Sequence, residues 1–139
     1  METTRFEELY EHPRWNLVER EKLIIYKGKQ ILYDDYSNLH GDEFIRILNL
    51  HIEATVNRKI FGQLNIIDVT NSYADRQVLA TLRQGAKKTD KFNSKTAVIG
   101  CVGVLLFFLN LVNQVSDMGL KPFDSMEEAL EWLTEDPAS

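Results

Sequence analysis

The spacing of apolar residues changes several times along the chain, and each change marks an element. Leu23-Ile24-Ile25-Tyr26 is a short apolar run of strand type. Lys27-Gly28-Lys29 reads as a tight turn, and Ile31-Leu32-Tyr33-Asp34-Asp35-Tyr36 returns antiparallel. Gly41-Asp42 opens a helix on which Phe44, Ile45, Leu48, Ile52 and Val56 recur at helical spacing as one stripe. Leu64, Ile66, Ile67 and Val69 then make a strand rich in β-branched residues. A second helix is predicted over 74–88, with Ala74, Val78, Leu82 and Ala86 facing inward. Thr96 to Cys101 is almost continuously apolar, as expected of a central strand buried on both faces. A third helix is predicted over 104–118, stopping at Gly119, a natural C-terminal cap. Leu120 to Phe123 is a last short strand. Ser125 and Glu128 form a capping box for a final helix whose stripe is Met126, Ala129, Leu130 and Leu133.

The first twenty residues carry two competing signals. Thr4-Arg5-Phe6-Glu7 has the form of a capping box opening a short helix that Pro13 ends, and Trp15 and Leu17 alternate as in an edge strand. A short helical turn followed by a strand accommodates both. After the hairpin, helices and strands alternate, which requires crossover connections and a parallel sheet packed under helices. The expected class is therefore α/β: a mostly parallel sheet, helices on both faces, and the first hairpin strand as an antiparallel edge.

Composition narrows the picture without changing it. The 139 residues, 44% apolar and 27% charged, describe one ordinary globular domain over 1–139, with 1–21 as an N-terminal extension. A net charge of −5 and the lack of any extended Lys/Arg patch argue against nucleic acid as a partner. A single cysteine, Cys101, excludes an intramolecular disulfide and suits a reducing, cytoplasmic setting. The start, Met1 to Arg5, is polar and acidic, unlike a signal peptide. The apolar run from Ala97 to Leu109 is shorter than a transmembrane segment and is divided by Gly100 and Gly103.

Three stretches carry a resemblance to a known fold family. Ile31-Leu32-Tyr33-Asp34-Asp35-Tyr36-Ser37-Asn38-Leu39, Lys95-Thr96-Ala97-Val98-Ile99-Gly100, and Lys121-Pro122-Phe123-Asp124-Ser125-Met126-Glu127-Glu128-Ala129-Leu130-Glu131-Trp132-Leu133 resemble SpoIIAA-like domains. That group includes STAS domains and is related to the lipid-binding fold of CRAL-TRIO proteins. The likeness is closest to small stand-alone bacterial proteins of STAS-like type. It implies a non-enzymatic regulatory or protein-interaction module, homodimeric or bound to a protein partner. The CRAL-TRIO relationship implies an alternative, a carrier or sensor of an apolar or amphipathic small molecule. Phospho-switch STAS domains carry Asp-Ser-Ser-Gly after the strand matched here by Ile66 to Val69. This chain has Asn71-Ser72-Tyr73-Ala74 instead, so no phosphorylatable serine carries over.

Ligands of open α/β sheets meet the loops beyond the parallel strands' C-terminal ends. Here those loops hold Ser37, Asn38 and His40, then Thr70, Asn71, Ser72, Tyr73 and Asp75, then Cys101 and Gly103. The short polar residues suit ligand or partner contact, and equally suit helix capping and turns. Cys101 lies among apolar neighbours, the setting of a structural thiol. His51 borders the first helix's stripe, as a packed histidine would. Asp34 and Asp35 are adjacent in a strand, face opposite sides and cannot share a proton. No metal-ligand spacing, cofactor motif or nucleophile–base set is present, so neither metal, cofactor nor catalytic residue is assigned. Arg76, Arg83 and Lys87 share a stripe of the second helix, which reads as a solvated face. On the third helix, Leu106, Phe107 and Leu109 exceed what one inward stripe needs. Leu105, Leu106, Phe107 and Leu109 are therefore the expected apolar interface or ligand gate.

Overall fold

A computed structural model describes residues 7–9, 15–115 and 119–135. These residues form one sheet of six strands in sequence order: β1 (Glu7–Leu9), β2 (Glu21–Tyr26), β3 (Lys29–Asp35), β4 (Gln63–Asp68), β5 (Asn93–Ile99) and β6 (Lys121–Phe123). The β1–β2 and β2–β3 pairs are antiparallel; β3 through β6 run parallel. The four α-helices among them are α1 (Gly41–Arg58), α2 (Arg76–Thr89), α3 (Val104–Val115) and α4 (Met126–Leu133).

The sequential order fixes where the helices go. Each crossover from β3 to β6 steps the same way across the sheet, and right-handed crossovers stepping one way stack their helices on one face. Accordingly α1, α2 and α3 share a core in which Phe44, Ile47, Val78 and Leu109 meet Val69 and Val98. The last helix, α4, covers the opposite face. There Ala129, Leu130 and Leu133 pack on Ile24, Ile31, Ile66 and Ala97, the strand residues one position out of phase. Ser125 caps α4 by accepting a hydrogen bond from the Glu128 N–H, and Asp75 caps α2 through the Val78 N–H.

Five expectations need correction. The antiparallel hairpin forms, but β2 is not an edge, because β1 pairs along it from Leu9↔Leu23 to Glu7↔Ile25. Glu7 is extended, so no helix continues through it; Thr4 to Phe6 and His12 to Pro13 lie outside the described residues. Trp15 and Leu17 are not in a strand; Trp15 is buried against Leu23, Leu32 and Ile60. On α1 the buried residues are Phe44, Ile47, Leu48, His51 and Thr55, so the inward face is rotated away from Ile45 and Val56. Hydrophobicity alone misplaces that face because two of its five positions are polar. The predicted β5 shifts too: pairing begins at Asn93 and ends at Ile99, which leaves Cys101 in the following loop. Residues 116–118, predicted as the end of α3, lie outside the described residues.

Candidate functional site

The sheet face beneath α1–α3 is unusually polar for a closed core. Strand alternation places Glu21 beside Leu23, Asp34 between Leu32 and Tyr36, Asn65 before Ile67, and Thr96 before Val98, all on that side. All four polar residues are buried. The register aligns Asn65 with Thr96 in one row across the sheet, and Asp34 with Ile67 and Val98 in the next row toward the strand ends.

Short side chains on this face leave space that leucines would fill. Asp34, Asn65 and Thr96, together with Thr55, Gly85, Ala86 and Thr89 from the helices, line a partly open cavity of about 120 Å³. That is room for several waters or one small organic molecule. Gly85 sets how close α1 and α2 come there, since a Cβ on it would sit 2.4 Å from Ile52 Cδ1. Leu105, Leu109 and Val112 of α3 close the apolar side, with Cys101 and Leu120. Burial pushes the Cys101 thiol up to about 11, so it is an unreactive wall group at neutral pH.

The β3 side of the cavity ends in a hydrogen-bonded cluster. His51 Nε2 lies 2.6 Å from the Glu19 carbonyl, which can only accept, so this nitrogen carries the proton. Nδ1 is then the acceptor for the Tyr36 hydroxyl at 2.9 Å. Burial holds the His51 ring below its ordinary value, opposed in part by Glu21, and so favours this neutral form. Behind it Arg58 grips Glu21, their side chains 3% and 0% exposed. The Asp34 and Glu21 carboxyl groups stand beside each other, and two carboxyl groups can hydrogen-bond only if one of them is protonated. The neutral carboxyl is that of Asp34. Burial first, then the Glu21 charge and that hydrogen bond, push Asp34 well above the usual carboxylate range. Asp34 Oδ1 is left with no hydrogen-bond partner, 3.5 Å from a ring nitrogen already accepting from Tyr36.

Glu21, Asp34 and His51 stand close enough to share a cation. The arrangement does not suit one: Arg58 already neutralises Glu21, and both His51 nitrogens are engaged.

Among solved structures, the chain matches an uncharacterized protein of the DUF3478 family from Shewanella loihica PV-4. The match covers 96% of this chain and 97% of that one at 14% identity, with a TM-score of 0.56. That protein has a SpoIIAA-like fold. So has this chain. The likeness extends to the fold alone. No protein-family model matches the chain, and neither does any curated protein.

In this SpoIIAA-like frame the loops beyond β3, β4 and β5 are stitched to one another. The Asn38 N–H donates to the Thr70 carbonyl, the Tyr73 N–H to Leu39, and the Val69 N–H to Ile99. Their short side chains serve local turns: Ser37 Oγ donates to Asp35, Thr70 Oγ1 to Asp68, and Ser72 Oγ to the Val69 carbonyl. Asn38 and Asn71 supply positive φ. His40 precedes α1 without capping it through its side chain. Tyr73 is exposed. On α3, Leu105 and Leu109 line the cavity, whereas Leu106 is 42% exposed. The Phe107 side chain lies outside the described residues. Sequence reasoning did not single out Glu21, Arg58, Asn65 or Thr96. Period-two alternation from Leu23 and the α1 stripe continued from Thr55 were the available signals.

Proposed function

We propose that this protein is a non-enzymatic carrier or sensor that takes a small amphipathic molecule between its sheet and α1–α3. The observation that carries this reading is the cavity itself: mostly apolar, with a polar cluster at one end, in a core that could have been filled by larger side chains. Cavities of this kind hold a ligand by burying its apolar surface, at about 25 cal/mol per Å², while a few placed polar groups orient it. Cys101, the one nucleophilic thiol on the wall, lacks a base, and both His51 nitrogens are committed. Binding is therefore favoured over catalysis. Native mass spectrometry of gently purified protein should show a retained small molecule. Ala86→Phe, which fills the space from α2, should release it without unfolding the domain. Retention by the filled variant would place the ligand elsewhere and end this reading.

The exposed Val102, in the loop before α3, and Leu106, in its first turn, favour a second reading, a homo-oligomeric interaction module. Leu106→Asp should then lower the sedimenting mass. An unchanged mass would remove that reading and leave the first intact.

A further inference from the structure

The charged and polar groups on the cavity wall limit what it could hold. Among the described residues, no lysine or arginine lines it; the titratable groups on it are Asp34, Tyr36, His51 and Cys101. An anionic ligand would find no counter-ion there, and burying an unpaired charge costs more than the surrounding apolar contacts return. The polar groups at the β3 end are nearly all satisfied by one another. Tyr36 gives its proton to His51 Nδ1, His51 gives its own to the Glu19 carbonyl, and Glu21, beside Asp34, is held by Arg58. Two atoms of the cluster are left without a partner, Arg58 Nε and Asp34 Oδ1, and only Asp34 lines the cavity, at 8% exposed. A buried acceptor without a donor is costly, and the group that relieves it must bring a hydrogen.

Resting on the carrier reading above, we propose that the cavity selects uncharged molecules with a hydroxyl or N–H on an apolar body, that group donating to Asp34 Oδ1. Carboxylates are excluded. Of the other polar wall residues, Asn65 Nδ2 donates to Asn93 at 2.7 Å and Thr89 Oγ1 to the Gly85 carbonyl at 2.9 Å, while the Thr55 and Thr96 hydroxyls can accept as well as donate and so also suit a hydroxyl or N–H.

Calorimetric titration of the full chain with two probes of one size, phenol and toluene, tests this, with benzyl alcohol and benzoate as a second pair. Phenol should bind about fivefold or more tightly than toluene, the worth of one hydrogen bond. Benzyl alcohol should bind and benzoate should not. Asp34→Asn keeps the shape of a protonated acid, its NH₂ facing Glu21 and its oxygen the ligand, so it should keep the preference. Asp34→Leu should bind toluene still but bring phenol within about twofold of it. Equal binding of phenol and toluene by the wild type, or a preference for benzoate, overturns the selectivity while the carrier reading stands. Loss of the phenol preference in Asp34→Asn also overturns it, since the charge would then matter and not the acceptor. Binding of none of the four overturns both. If Asp34→Leu does not fold, the wild-type pairs and Asp34→Asn decide alone.

Discussion

At the scale of single residues, the polar cluster behind the cavity is held by one ion pair. Arg58 and Glu21 are both withdrawn from water, and Arg58 Nη2 also donates to the Asn16 carbonyl at 3.1 Å. Removing one partner of a buried pair leaves the other charge stranded, at about 3–5 kcal/mol. Arg58→Met should destabilise the fold by that amount in urea unfolding, and Glu21→Gln with Arg58→Met should recover part of it. Asp34 adds a dependence on pH whose sign is set by its raised value. The folded chain holds this proton to higher pH than the unfolded chain does. Its stabilising contribution is complete below the ordinary carboxylate range, near 3.9, and is lost as pH rises through the folded value. His51, depressed by burial, acts oppositely and weakens the fold as pH falls from about 6.5 through its folded value. Asp34→Asn removes only the first effect. The wild type should therefore lose stability relative to Asp34→Asn as pH is raised from 4 to 8, read as the difference between their urea midpoints. A constant difference would mean that Asp34 titrates normally.

At the scale of elements, what the sequence made legible follows from which forces act locally. The Ser125 cap, the hairpin turn and the helix over Gly41–Arg58 appear as expected, because caps, turns and periodicity depend on near neighbours. The rotation of α1, the buried Glu21 and the pairing of β1 depend on contacts distant in sequence, so pattern alone misplaced or missed them. The same contrast explains the loops. Their short polar residues were candidates for ligand contact, but the fold brings the three loops together, and Ser37, Thr70 and Ser72 close their own turns. Gly100 makes that approach feasible: its φ is +77°, and a Cβ would lie 2.7 Å from Thr70 Cα. Gly100→Ala should cost about 2 kcal/mol or more in thermal or urea unfolding, from positive φ and the backbone clash together. Gly103→Ala, where φ is also positive but nothing lies within 4 Å of the added Cβ, should cost less.

At the scale of the whole molecule, three crossovers stepping one way and a final helix after β6 leave one face of the sheet under three helices and the other under one. The singly covered face packs with Ile24, Ile31, Ile66 and Ala97 and is closed. The triply covered face spends buried positions on Glu21, Asp34, Asn65 and Thr96 and holds the cavity. Tight packing is the rule in cores of this size, so the polar-ended space in the better covered layer is the feature on which the proposed carrier reading rests. No described helix is long and apolar enough to cross a membrane. The most direct measurement is methyl NMR of the isotope-labelled full chain during titration with toluene. Saturable shifts should appear at the cavity methyls of Ile67, Val69, Val98, Leu105 and Leu109, and should vanish in Ala86→Phe. Shifts confined to the exposed Val102 and Leu106, or none that saturate, would contradict the claim that this interior receives a ligand.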